Sequence, residues 1–179
     1  MIAGLLTKDQ EFFYTTENGL HHKLSNGALK SSDGLCATFI GILDVALATD
    51  ADANKGLDLL NITSQEDRIA KFYHCNYSAA DDHPDVYENG TLGPREFVKC
   101  AERGTCPAEC LLCKPPHGET KKELRVLEQI GAGKVDKEIC DALCITQNTL
   151  RTHKDHISAK ADLNRKPQLA LLADKLNLI

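Results

Sequence analysis

TKKELRVLEQIGAGKVDKEICDALCITQNTLRTHKDHISAK, residues 120–160, carries helical patterning broken twice by turn residues. Thr120 followed by Glu123 reads as a capping box, in which hydroxyl and carboxylate each accept from an otherwise unpartnered amide of the first turn. Leu124, Leu127 and Ile130 then recur at helical spacing, and Gly131 or Gly133 ends the segment. A second helix is expected from Val135 to Leu143, with Ile139 and Leu143 facing inward. After the turn Cys144-Ile145-Thr146, Thr146 is suited to cap a third helix, about 146–160. Leu150, His153 and Ile157 share one face of that helix, while Arg151, Thr152 and Asp155 share another, free for outside contact. Pro167 suits the first turn of a fourth helix with the stripe Leu169, Leu172 and Leu176. Two short helices joined by a tight turn, the second polar on its outer side, make a helix-turn-helix, whose second helix fits the major groove of double-stranded DNA.

The rest of the chain differs in charge. Residues 117–179 hold 11 Lys and Arg against 9 Asp and Glu, whereas the first 116 hold 10 against 17, which together give the net charge of -5. A weakly basic piece therefore follows an acidic body, and KPPHGET, with two prolines and a glycine, marks the join. We expect two domains, an acidic Cys-rich one over 1–116 and a helix-turn-helix one over 117–179. With 42% apolar and 26% charged residues in 179, the composition is that of a soluble globular protein. The opening MIAGLLTKDQEFF lacks the basic start of a secretory signal, and GLCATFIGILDVALA is shorter than the ~18–20 residues of a membrane span. A cytoplasmic location without membrane contact is the expectation.

The C-terminal third resembles the DNA-binding domain of the LuxR/FixJ-type (GerE-like) transcriptional regulators, a compact four-helix unit. The family pattern T-x-x-E-x-E-V-L-x-L-I-A-x-G-x-S-N-K-E-I-A reads here as TKKELRVLEQIGAGKVDKEIC, and L-x-I-S-x-x-T-V-K-x-H-x-x-N-I-x-x-K-L reads as LCITQNTLRTHKDHISAKA. The resemblance implies that Lys137, Thr149, Lys160 and Lys166 meet phosphates, which fixes register without reading sequence. It also implies that Arg151, Thr152 and Asp155 stand where family members reach base edges. Arg can pair with guanine, Thr can meet a thymine methyl and Asp can accept from the cytosine amino group. Asp155 departs from the Lys often found there, and Lys166 stands where Arg is usual. His153 matches the family histidine and is read as a packing residue. His156 replaces the usual Asn and is either a phosphate contact or an exposed spectator. Cys140 and Cys144 are read as small apolar fillers. By the same analogy the protein is expected to bind DNA as a homodimer, through the fourth helix, on adjacent half-sites.

Five further cysteines gather ahead of the join. Cys100, Cys106, Cys110 and Cys113 lie in FVKCAERGTCPAECLLC, and Cys75 in FYHCNYS precedes them on an expected strand. Cytosolic thiols are kept reduced, so thiolates crowded this closely point to a metal rather than to disulfides. Zinc takes four ligands, which leaves one cysteine over. The segment resembles a Cys-rich module found ahead of LuxR-type domains in small bacterial and phage-like regulators, and that resemblance selects Cys75, Cys100, Cys106 and Cys113. The local alternative is Cys100, Cys106, Cys110 and Cys113. An iron-sulfur cluster would use the same thiolates, and plain burial of the thiols is the alternative to both.

Catalysis is not expected. A zinc deaminase needs H-x-E before P-C-x-x-C, but here His117-Gly-Glu119 follows Cys110-x-x-Cys113 and Glu109 precedes Cys110. A phosphoacceptor receiver is disfavoured too, because no acidic pair ends a first strand and no Met-Pro follows Asp50. The expected fold class is mostly α, with a small α+β Cys-rich N-terminal domain and a C-terminal four-helix helix-turn-helix domain. In residues 1–70 the readable elements are a helix from Asp33 to Ala48 and a helix start at Thr63-x-x-Glu66. The reading from a different class is a metal- or redox-stabilised interaction module whose helix-turn-helix is a docking surface.

Overall fold

The computed structural model describes residues 1–163, 168–176 and 178–179. Among these are a three-stranded antiparallel sheet near the N-terminus and seven helices. Contacts divide the chain into two units: 1–98 with 111–113, and 99–110 with 114–179. No helix among the described residues is long and apolar enough to cross a membrane.

In the first unit, β1 (Glu11–Thr15), β2 (Leu20–Ser25) and β3 (Ala28–Ser32) form a meander in that order. Asn26 and Gly27 both take positive φ, 49° and 72°, and close the β2–β3 hairpin between the paired residues Ser25 and Ala28. That is the two-residue turn whose twist suits antiparallel strands, and Asn-Gly is its preferred sequence. Helices α1 (Ala37–Ala48), α2 (Ala51–Leu59) and α3 (Gln65–Asn76) follow. Phe12 of β1 stacks on Phe39 of α1 with ring centroids 3.9 Å apart, and Leu43, Leu47, Leu57, Phe72 and Tyr73 complete a closed core. Leu112 returns to this core. A side chain at Gly56 would meet its Cβ at 3.1 Å, so the glycine lets α2 and the 111–113 segment approach.

Three sequence expectations are corrected here. The first helix starts at Ala37 rather than Asp33, because residues 33–36 connect β3 to it and Cys36 is the extended N-cap. The next start is one residue later than Thr63-x-x-Glu66: Ser64 caps α3 by accepting from the Asp67 amide at 3.1 Å. Cys75 lies on α3 and not on a strand. Its aromatic neighbours suggest β propensity, but the buried set Ile69, Phe72, Tyr73 and Asn76 has helical spacing, and burial decides.

In the second unit α4 (Lys121–Gly131) opens with the expected box: the Glu123 amide donates to Thr120 Oγ1 at 3.4 Å and the Thr120 amide to Glu123 Oε2 at 2.7 Å. It is followed by α5 (Asp136–Leu143), α6 (Gln147–Lys160) and α7 (Gln168–Lys175). Leu124, Leu127, Ile139, Leu150, Ile157, Leu169, Leu172 and Leu176 are buried. The α4–α7 contact is close at Gly131, where an added Cβ would sit 2.8 Å from that of Ala173. Pro167 and Lys166 lie outside the described residues.

Candidate nucleic-acid interface

The α5–α6 corner is made by one residue in a left-handed conformation. Cys144 has φ 52°, and the Ile145 amide donates to Cys140 O at 3.0 Å, which closes the last turn of α5. Thr146 then starts α6 by accepting from the Thr149 amide at 3.2 Å. Leu150 and Ile157 hold the inner face of α6 in the core, so Arg151, Thr152, Asp155 and His156 are turned outward and exposed. Lys154 is tethered to Asp136 at the start of α5, which fixes the crossing of the two helices.

The outward face can be read residue by residue. Arg151 and Asp155 are 79% and 72% exposed and stand 4.0 Å apart one turn along the helix, an ion pair worth little in water. The guanidinium is thus lightly held and open to a stronger acceptor. Thr152 Oγ1 donates to Asn148 O at 3.1 Å and leaves its methyl group available. Thr149 lies exposed in the first turn of α6, where the helix amides point at an approaching anion, and Lys137 is exposed on α5. Asn148 is exposed beside them, a polar residue of this face that sequence reasoning passed over.

Lys160 is placed differently. Its ammonium donates to Glu123 Oε2 at 2.7 Å and to Gly118 O at 2.8 Å, which ties the end of α6 to the start of α4. Burial alone would raise the Glu123 carboxyl, but the Lys160 ammonium and the Thr120 amide and hydroxyl outweigh it, and the net shift is downward. His153 is half-buried, its Nδ1 without a hydrogen-bond partner, and it lines a cleft of about 430 Å³ with Lys122, Arg125 and Thr149.

A prediction follows from the sign of that shift. A depressed carboxyl stabilises the fold above its unfolded pKa and loses that contribution as pH falls through its folded value, so the effect belongs below about pH 4.3. Glu123→Gln is therefore expected to flatten the acid limb of the melting-temperature profile and, by weakening cap and ion pair, to cost about 1–2 kcal/mol at neutral pH. Unchanged melting at pH 7 would show that the network carries no stability.

The expected metal ligands are divided between the two units. Cys75 and Cys113 are half-buried residues of the first unit, while Cys100, exposed, and Cys106, half-buried, belong to the second. Within the second unit Gly104 O accepts from Arg125 at 2.7 Å and Cys106 O from Lys121 at 2.9 Å, so the 99–110 segment lies against α4. Cys110 takes a left-handed φ of 66°, and its Sγ is 3.8 Å from Glu119 O.

The helix pair, its cap and its outward polar face coincide with a known family. Residues 120–173 match the family described as "Bacterial regulatory proteins, luxR family". Residues 120–173 are a luxR-family domain. Over 59 residues the chain is 42% identical to the "Uncharacterized transcriptional regulatory protein YhcZ" of Bacillus subtilis, covering 33% of this chain and 28% of that protein. Over 65 residues it is 38% identical to the "Transcriptional regulatory protein LiaR" of the same organism, covering 36% of this chain and 31% of that one. Over 60 residues it is 38% identical to the "Oxygen regulatory protein NreC" of Staphylococcus haemolyticus, covering 34% and 28%. The chain thus spans less than a third of the length of these curated relatives. No solved structure gives a significant match. The luxR-family domain takes in α4, α5, α6 and most of α7.

Proposed function

We propose that this protein is a sequence-specific DNA-binding transcriptional regulator of the bacterial cytoplasm, without catalytic activity, whose helix α6 enters the major groove. The observation that carries the reading is the polar, exposed face of α6 on a luxR-family domain, with Arg151 paired to a solvent-exposed partner. The names of YhcZ and LiaR as transcriptional regulatory proteins support it. Arg151, Thr152 and Asp155 would read bases, while Thr149, Lys137 and Lys166 would meet phosphates. Lys160 would reach a phosphate only by exchanging Glu123 for it, so its larger part is to hold α6 on α4. A homodimer on two half-sites would supply the footprint that one such domain lacks, and sedimentation on a specific duplex measures it. Retardation of genomic fragments tests the whole reading: binding should weaken steeply with salt, by a log-log slope of about -0.9 per phosphate contact.

The alternative, a docking surface without DNA, draws on the acidic Asp155 beside Arg151 and on the net charge of only +2 over residues 117–179. Negligible retention of every fragment at low salt would favour it.

Zinc held by Cys75, Cys100, Cys106 and Cys113 is proposed on the resemblance to a Cys-rich module, with Cys100, Cys106, Cys110 and Cys113 as the local alternative and an iron-sulfur cluster as the other use of such thiolates. Metal content and visible absorption of anaerobically purified protein separate them. Colourless protein with one zinc per chain supports the first, iron with sulfide absorption supports the second, and the absence of both metals overturns ligation.

A further inference from the structure

Three carboxylates converge in the interior of the first unit. Glu11 opens β1, and Asp85 and Glu96 lie in the segment that follows α3; all three are buried. An antiparallel bridge between Gln10 and Val86 lays that segment beside β1, with amide-to-carbonyl distances of 2.7 and 3.0 Å. Each carboxylate is anchored by one oxygen on a backbone amide. Glu11 Oε1 accepts from Asp81 at 2.8 Å, Asp85 Oδ2 from Phe12 at 2.7 Å and Glu96 Oε2 from Ala79 at 2.9 Å. The second oxygens, Glu11 Oε2, Asp85 Oδ1 and Glu96 Oε1, are buried without a hydrogen-bond donor among the described residues, and Asp85 and Glu96 stand close enough for the one that is protonated to donate to the other. One ligand oxygen from each of the three residues lies within 4.8 Å of the others. The Tyr73 hydroxyl on α3 is fully buried and also without a partner, and the charges acting on it are first those of Asp85, Glu96 and Glu11.

Charge buried without a counter-charge is costly, so such a group is neutralised by protons or by a cation. Burial, and then mutual repulsion, pushes the Asp85 carboxyl up, and burial leads the rise of Glu96 and Glu11 as well. The neighbouring guanidinium, Arg95, is engaged by Asp50. What the three acids offer is a preorganised set of oxygen donors, with the orientation of each carboxylate already fixed by its amide. We propose that Glu11, Asp85 and Glu96 bind a hard divalent cation, calcium or magnesium, inside the first unit. Oxygens bound to one calcium or magnesium ion lie no more than about 5 Å apart, so ligand atoms within 4.8 Å of one another can share either. With no thiolate or imidazole among the donors, the site disfavours the softer metals that cysteines take. The ion would cross-link β1 and the loop after α3.

The full chain, stripped of metal by a chelator, tests this. Calcium or magnesium, added alone, should raise its melting temperature by about 5 °C or more at saturation. Terbium, a luminescent stand-in for calcium, should emit on excitation of tyrosine, since the chain has no tryptophan, and added calcium should displace it. Glu96→Gln and Asp85→Asn keep side-chain shape and remove one buried charge. Metal-free, each should melt no lower than wild type, and each should lose both the calcium shift and the terbium signal. Asp82→Asn, in the more exposed group Asp81, Asp82 and His83, should keep both. No response in wild type would mean that protons neutralise the acids, and a response that survives both cluster variants would put the ion elsewhere; either result overturns the proposal.

Discussion

Arg151→Ala is expected to lower affinity for a specific operator about 5- to 150-fold, the 1–3 kcal/mol of one bidentate arginine–base contact, while non-specific retention changes little. The argument starts from packing. Leu150 and Ile157 hold the inner face of α6, Arg151 is exposed, and among the described residues its ion-pair partner is the exposed Asp155 carboxylate. Removing Asp155 gives the complementary result: Asp155→Ala should tighten non-specific binding, because an acidic group then no longer faces the phosphates, and should relax sequence choice at one position. Competition titrations with specific and random duplexes at fixed salt read both effects. Equal losses on both duplexes would make Arg151 a phosphate contact, and no loss on either would remove α6 from the interface.

The second large effect is on stability. Ile157→Ala deletes a fully buried side chain from the inner face of α6 and should cost about 2–5 kcal/mol, through lost burial and the cavity left behind. Against a total of about 5–15 kcal/mol for a small domain, that is enough to loosen the luxR-family domain near body temperature and to abolish DNA retention with it. Val135→Ala is the control: its side chain is 62% exposed, and its loss should stay within about 0.5 kcal/mol. Melting followed by circular dichroism separates the two, and similar curves would show that α6 is not held by its apolar face.

The two units differ in how far their sequence discloses them. Around α4 to α6 the signals are local: Thr120 and Glu123 cap one helix, Thr146 caps another, and leucines three and four apart mark the faces. Such interactions close over one or two turns, so the pattern carries them whatever the rest of the chain does. Residues 1–70 were harder to read. The sheet had one strong signal, Asn26-Gly27 between Ser25 and Ala28, which marks a hairpin even where β3 lacks an apolar face. Cys75 illustrates the opposite error, since aromatic neighbours suggest a strand until the burial of Ile69, Phe72 and Tyr73 on one side makes α3 a helix.

Lys160 and the three acids mark where local reading stops. The family resemblance makes Lys160, late in α6, a phosphate contact, yet the fold brings Glu123, 37 residues earlier, to within 2.7 Å of it. Glu11, Asp85 and Glu96 have no common motif. They meet because the Gln10–Val86 bridge closes a long loop, and their burial then turns ordinary acids into an unneutralised cluster. By itself, then, the sequence determined the helix-turn-helix, its caps and its outward polar residues, all set by interactions within a few residues. Only the tertiary structure decided which lysine is tied down and which carboxylates share one interior, because charge pairing and desolvation depend on distances in space that spacing along the chain does not encode.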